Sequence, residues 1–590
     1  MHGAHLFLAN LGTVLCVAAL ATVLFQRLRQ PLVLGYILAG VVVGPHFALP
    51  LVADHAVIEA IAELGVTLLM FSIGLEFRIP KLVRVLPTSG LVALVEVSLL
   101  FAGGFLLAGL FGWTPLERLF TGAVVSISST SIVAKAFETE GVAPARREVV
   151  FGVLIVEDLL AVLMMVGLAI VATGGSLEPA ALGTAALRLG LTLAVLVGGG
   201  LLLVPPLFRY IVGLGRKETT TVAAVGLSFA AAMTTLGLGY PAALGAFVAG
   251  MLVAESGHGD RVEHLVKPVR DVFAAIFFVA VGMLLDPAQV MAHPLPVLGL
   301  VSLVLVGKVC AVSLGAFLVG HSPKASIHAG MSLAQIGEFS FIIAGLGVAM
   351  NATGHFLYPL AISVAAITTL TTPWFIRSAD RVADRVDHKL PPALQTLAAL
   401  HGGWLEALRS AAPVEGRRGR LRTAVAVIAV DAVGLLAVIV SHALFVEAIA
   451  QEVTVRLGSG ALATRAVVSL AFLALAAPLY VGVVRACGRL GEALAEPLLS
   501  PGSRLARIPA VHRVLVTMLQ IGAVLAVGVP MVAITQPFLP PLGGALALLA
   551  VQAFLAVLVW RRASAMEGEL QSGAQLVFDT VRRGSAPRAP

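Results

Sequence analysis

The chain has 590 residues, of which 59% are hydrophobic and 12% charged, with a net charge of +7 and a mean hydropathy of +0.99. A water-soluble enzyme or binding domain of this length needs far more polar surface, so those classes are excluded. In so apolar a chain the basic surplus points to membrane-side loops and not to nucleic acid.

Apolar segments follow one another at approximately 6–26, 31–50, 55–76, 85–111, 115–138, 148–173, 181–213, 219–239, 241–256, 268–286, 294–320, 325–350 and 356–377. Most are long enough to cross a bilayer as helices. The first starts at Leu6 without a basic leader and reads as a true span, not a cleaved signal. A polar, Arg-rich linker is predicted over 378–420, opening with a charged surface helix and broken at Pro391-Pro392. Four more apolar segments follow, at 421–449, 462–484, 512–535 and 541–560, within a region 421–560 of unknown role; the tail 561–590 has the composition of a disordered segment. With the N-terminus outside, alternation puts every basic residue inside except Arg118, Arg188, Arg456, Arg465 and the intramembrane Lys308. That bias supports 17 spans, a cytoplasmic C-terminus and a multi-pass protein of the bacterial inner membrane.

Ionisable groups within spans are costly and need a reason. Glu157 and Asp158 stand together about ten residues into the sixth span. Adjacent carboxylates in low dielectric repel, and either a proton or an alkali cation relieves the strain. A site that holds one or the other, but not both, gives antiport by competition. In the fifth span Ser126, Ser128, Ser129, Thr130 and Ser131 place five hydroxyls in six positions. Such a run can satisfy freed backbone groups at a broken helix and line a cation path. The twelfth span carries Gln335, Gly337 and Glu338, a second interruption. An offset of seven spans is odd, so the two breaks cross in opposite senses, as inverted repeats require. Glu338 reads as a neutraliser of half-helix N-termini more than as a cation ligand. Lys308 in the eleventh span needs an acidic partner, for which Asp158 is the first choice; Glu96, in the repeat-related fourth span, has no assigned role. Cys16, Cys310 and Cys487 show neither metal-ligand nor disulfide spacing, and no nucleophile–base arrangement suggests an enzyme. No cofactor is expected.

Several of these pieces occur in the order found in the Kef-type monovalent cation:proton antiporters. They are Gly35–Pro45, Phe71-Ser-Ile-Gly-Leu-Glu76-Phe77, the Ser128–Ser131 run, Glu157-Asp158, Gly245-Ala-Phe-Val-Ala-Gly-Met-Leu, Phe277-Phe-Val-Ala-Val-Gly282-Met283 and Gly337-Glu-Phe. Over roughly 6–377 the chain resembles that family. The resemblance implies an all-α, 13-helix sodium/proton-antiporter fold with inverted repeats and two crossing discontinuous helices, to which this chain adds about four C-terminal spans of its own. It further implies a homodimer, alternating access, Asp158 as the ion-binding aspartate and Lys308 as the core lysine. Kef potassium-efflux systems usually carry Gln before that aspartate, where this chain has Glu157, and a nucleotide-binding regulatory domain; no strand–GxGxxG–helix unit follows residue 377 here. The expectation is exchange of K+ or Na+ for protons, in contact with membrane lipid. The alternatives are a gated potassium efflux pathway or an antiporter core coupled to a C-terminal membrane sensor.

Overall fold

The computed structural model describes residues 2–28, 30–47, 51–52, 55–76, 85–174, 179–389, 417–457 and 461–495, with positions 520, 524, 527 and 528. Apart from those four positions, the spans expected at 512–535 and 541–560 lie outside the described residues, as do linker residues 390–416 and the tail 561–590. All regular structure among the described residues is helical. Among the described residues eleven helices are long and apolar enough to cross a membrane, and Leu32–Val43 and Glu338–Ala349 are shorter apolar helices. A helix satisfies its own backbone groups, which hydrocarbon demands.

The helices are α1 (His2–Arg27), α2 (Leu32–Val43), α3 (His55–Glu76), α4 (Leu91–Leu110), α5 (Pro115–Ser126), α6 (Thr130–Glu140), α7 (Pro144–Gly174), α8 (Pro179–Gly213), α9 (Lys217–Gly237) and α10 (Ala242–Val253). They continue with α11 (Gly259–Met283), α12 (Pro287–Ala292), α13 (Pro294–Ser302), α14 (Lys308–Leu318), α15 (Pro323–Ser332), α16 (Glu338–Ala349), α17 (Leu357–Lys389), α18 (Arg417–Leu457) and α19 (Ala461–Ala495). Two segments differ from the sequence expectation. The second span stops at Val43 and not near residue 50, because Gly44 is extended ahead of Pro45, which disfavours helical geometry in the residue before it. The last span of the first region does not end at 377: α17 runs on to Lys389 through the charged stretch.

The chain divides into two compact units, residues 1–312 with 328–379, and residues 313–327 with 380–590. In the first, α2 packs on α11 and α3 on α10. Both crossings are glycine to glycine. A Cβ on Gly40 would strike the Val279 carbonyl, and one on Gly282 the Ile37 carbonyl; Gly74 and Gly250 stand in the same relation to the Phe247 and Phe71 carbonyls. Small residues let helix backbones approach this closely. Under an offset of seven spans the second and tenth spans exchange with the ninth and third. The two crossings are thus one contact seen from each half of an inverted repeat. In the second unit α18 and α19 form an antiparallel pair, with Asp431 packed on Gly482 and His442 Nε2 3.0 Å from Ser469 Oγ.

Candidate ion-exchange site

Two broken helices meet at the centre of the first unit. α5 is started by a capping box, in which Thr114 Oγ1 accepts from Glu117 N–H at 3.3 Å and Glu117 Oε2 accepts from Thr114 N–H at 2.9 Å, with Pro115 in the first turn. It ends at Ser126, and Ile127–Ser129 are extended before α6 begins. The partner break separates α15 from α16 at 333–337. The freed backbone groups bond across the crossing. Gly337 N–H donates to Ile127 O at 3.0 Å, Ser129 N–H to Gln335 Oε1 at 3.2 Å, and Gln335 Nε2 to Ser129 O at 3.2 Å. Ser128 Oγ and Ser340 Oγ donate to the carbonyls of Leu333 and Val124 at 3.3 and 2.6 Å. Gly337 cannot be larger: a Cβ there would lie 2.6 Å from Ser128 O.

Charges occupy the ends of these half-helices. A turn of π-helix, Leu303–Gly307, immediately precedes Lys308, and such bulges shift the register of the residue that follows. The Lys308 side chain is fully buried. Its Nζ donates to Glu96 Oε1 at 2.9 Å, to Ser128 Oγ at 2.6 Å and to Ser126 O at 3.0 Å, the last being the carbonyl end of α5. Three acceptors use all three ammonium protons. Glu157, also fully buried, accepts the Ser128 N–H on Oε2 at 2.7 Å, 4.0 Å from Lys308 Nζ. Glu338 sits in the first turn of α16 and accepts from Ser129 Oγ at 2.7 Å, while Ser129 caps α6 through Ile132 N–H. An acidic group there faces the positive ends of both half-helices, and the ammonium faces a negative end. Among the described residues, Glu96 Oε2 and Glu157 Oε1 are buried without a hydrogen-bond partner.

Asp158 differs from its neighbour. It is half-buried, and Thr130 Oγ1 donates to its Oδ2 at 3.5 Å, the long limit of a hydrogen bond. Thr130 is also partly open and Ser131 is exposed. Glu338, Glu157 and Glu76 add negative charge around Asp158. A partly exposed carboxylate and hydroxyl with acidic neighbours suit a hard monovalent cation or a proton. Elsewhere in this unit a cavity of about 740 Å³ is lined by His46, Glu59, Glu63, Asp286, His355 and Tyr358 among others. Met165 and Ala169 of α7 also line it, whereas Asp158 does not.

Residues 13–377 match the family described as sodium/hydrogen exchanger, transmembrane. The chain belongs to that family. It is a multi-pass membrane transporter of the cation/proton antiporter class. Relatives include the putative cation/proton antiporter YbaL of Escherichia coli (strain K12), 36% identical over 386 residues, which cover 63% of this chain and 68% of that protein. K(+) efflux antiporter 5 of Arabidopsis thaliana is 30% identical over 371 residues, 62% of this chain and 65% of that one. The K(+)/H(+) antiporter subunit KhtU of Bacillus subtilis (strain 168) is 29% identical over 383 residues, 63% of this chain and 93% of its own length. The matched region thus spans about two thirds of the first two relatives. The fold is shared with the sodium proton antiporter MjNhaP1 from Methanocaldococcus jannaschii, at a TM-score of 0.52 and 15% identity over 64% of this chain and 98% of that one.

Within this exchanger fold, the residues singled out from the sequence gather at the crossing, but they divide into two sets. Ser128, Ser129, Gln335, Gly337, Glu338, Glu157 and Lys308 form the closed crossing, and beside it Asp158 and Thr130 are partly exposed and Ser131 is exposed. The expected pairing of Lys308 with Asp158 is not found; Glu96 is its nearest acidic partner, at 2.9 Å, and Glu157 follows at 4.0 Å. Glu96 had no role in the sequence reading. The signal that could have found it is that the fourth and eleventh spans are repeat mates and each carries one ionisable residue near its middle.

Proposed function

We propose that this exchanger trades a monovalent cation, K+ or Na+, for protons across the bacterial inner membrane, with Asp158 as the carboxylate that holds one or the other. The observation carrying the reading is the contrast within the pair. Glu157 is sealed against a half-helix, while Asp158 is partly exposed beside Thr130. The relatives' names, a K(+)/H(+) antiporter subunit, a K(+) efflux antiporter and a cation/proton antiporter, agree with a monovalent cation as cargo. The protein works by alternating access as a homodimer, N-terminus outside and C-terminus cytoplasmic. In that orientation the lining residues of the 740 Å³ cavity lie at outer span ends. Met165, the cavity residue of α7 nearest in sequence to Asp158, is about 10 Å further along the helix at 1.5 Å per residue. The cavity is therefore an outer vestibule that Asp158 reaches only in another state of the cycle. Glu338, with Gln335 and Gly337, holds the crossing together and binds no cation.

The test is proton flux in everted vesicles, followed by a pH dye after addition of Na+ or K+ over about pH 6–9. Wild-type protein should dissipate the gradient, and folded Asp158→Asn protein should not. Full activity in Asp158→Asn would overturn the assignment. Because proton and cation compete for one carboxylate, the cation concentration giving half-maximal rate should rise as pH falls, with the maximal rate little changed.

A further inference from the structure

We infer that Arg270 sets the valence of the transported ion. Its guanidinium offsets the surplus negative charge around Asp158, so that the site suits a monovalent cation and turns away divalent ones. This deepens the proposed function and rests on Asp158 being the exchanging carboxylate.

Three acids, Glu338, Glu157 and Glu76, add negative charge around Asp158. Left unanswered, several carboxylates about one cation position favour Ca2+ or Mg2+, whose binding strengthens with the number of charged oxygens. Glu157 is answered inside the crossing, by Ser128 N–H at 2.7 Å and by Lys308 Nζ at 4.0 Å. The other two acids share one cation. Arg270 Nη1 donates to Glu76 Oε1 and to Ser72 Oγ, each at 3.4 Å, and the same guanidinium adds positive charge around Glu338. Asp158 makes no ion pair among the described residues, so it is left to the transported ion.

Packing holds Arg270 to this position. α11 lies so close to α3 that a Cβ on Gly65 would meet the Phe273 carbonyl oxygen at 2.7 Å and Phe277 Cα at 2.9 Å. Arg270 is about one helical turn before Phe273, which sets it against the end of α3, where Ser72 and Glu76 stand. Asp271 accepts from its Nε at 3.0 Å and its Nη2 at 2.8 Å, so the fork is oriented with Nη1 turned to α3. The Asp271 side chain is 55% exposed, and water and salt screen its charge, whereas Glu338 is buried and feels the guanidinium with less screening. An arginine stays charged at every physiological pH, so the offset does not lapse when protons are plentiful. Arg270 is a specificity residue that acts through Glu76 and Glu338.

The experiment uses the full-length protein in everted vesicles, with proton flux driven by K+ or Na+ and with Mg2+ or Ca2+ added as competitor. Arg270→Gln keeps an amide donor for Glu76 but loses the charge. It should lower the half-inhibitory concentration of either divalent ion by about tenfold or more, while the monovalent concentration giving half-maximal rate also falls. Arg270→Lys should stay close to wild type on both readouts, because it keeps the charge. Glu76→Gln removes one acid and should move both readouts the opposite way, and the double variant should return toward wild type. Unchanged divalent inhibition in folded Arg270→Gln overturns the inference. So does a shift of the same sign in Glu76→Gln, which would mark the pair as a structural fastening alone. If Arg270→Gln fails to fold, the sign of the Glu76→Gln shift still decides. Asp158→Asn separates the two readings. Exchange retained in that variant refutes the carrier assignment; exchange lost there, with divalent inhibition unchanged in Arg270→Gln, refutes only the role of Arg270.

Discussion

Glu157 and Asp158 adjoin in sequence, but successive residues of a helix point about 100° apart, and that rotation buries one in the crossing and leaves the other partly exposed. The difference makes their substitutions unequal. Glu157→Gln should keep measurable exchange with an altered pH profile and a lower yield of folded protein, because the amide still accepts from Ser128 N–H but no longer balances the end of α6. Thr130→Val removes a hydroxyl bonded to Asp158 and should weaken the apparent cation affinity severalfold, about 1 kcal/mol, as measured by the concentration dependence of dequenching. The carboxylate pair and the hydroxyl run could be read from sequence because each is a local anomaly in apolar surroundings. Lys308's partner could not. Choosing among Asp158, Glu157 and Glu96 requires knowing which face each span presents, and the π-turn before Lys308 shifts that face in a way no periodicity count reveals.

The half-helices depend on one another at the level of elements. Neither break could persist alone in hydrocarbon, since each leaves amides and carbonyls, among them Ser129 N–H and Ile127 O, that the other supplies with partners. Gly337→Ala should therefore cost about 1–3 kcal/mol or more, because its Cβ would press on the Ser128 carbonyl, which is backbone and cannot swing aside. Thermal unfolding in detergent would show it. Gln335→Leu removes both side-chain bonds to Ser129 and should act in the same direction. The positions of the two interruptions were readable from the density of hydroxyls and from the Gly-Glu pair. Their mutual bonding was not, because it joins residues some 206 positions apart. Helix ends were read less well where composition misleads. Gly44-Pro45 stops α2 inside an apolar stretch, and α17 ignores the change from apolar to charged residues after Arg377, where Arg377 holds Glu140 through two bonds of 3.0 and 2.7 Å.

At the scale of the whole molecule, the exchanger family accounts for residues 13–377, and α18 and α19 lie beyond it as a helical pair with their own contacts. A chain ending after Lys389 should retain cation/proton exchange in vesicles; its loss would make the C-terminal helices part of the transport unit and not an added module. The bonded crossing also bears on how the protein is made. Ser129 enters the membrane early in synthesis, yet its amide finds an acceptor only when Gln335 arrives, about 200 residues later. Until then the newly inserted fifth span holds an unpaired stretch of backbone in lipid, a state that a quality-control protease can recognise. Nascent chains halted before Ser332 should thus be degraded quickly in cells, and those halted after Ala349 should persist. The crossing that serves ion exchange in the finished protein would serve, during biogenesis, as the mark that both halves have arrived.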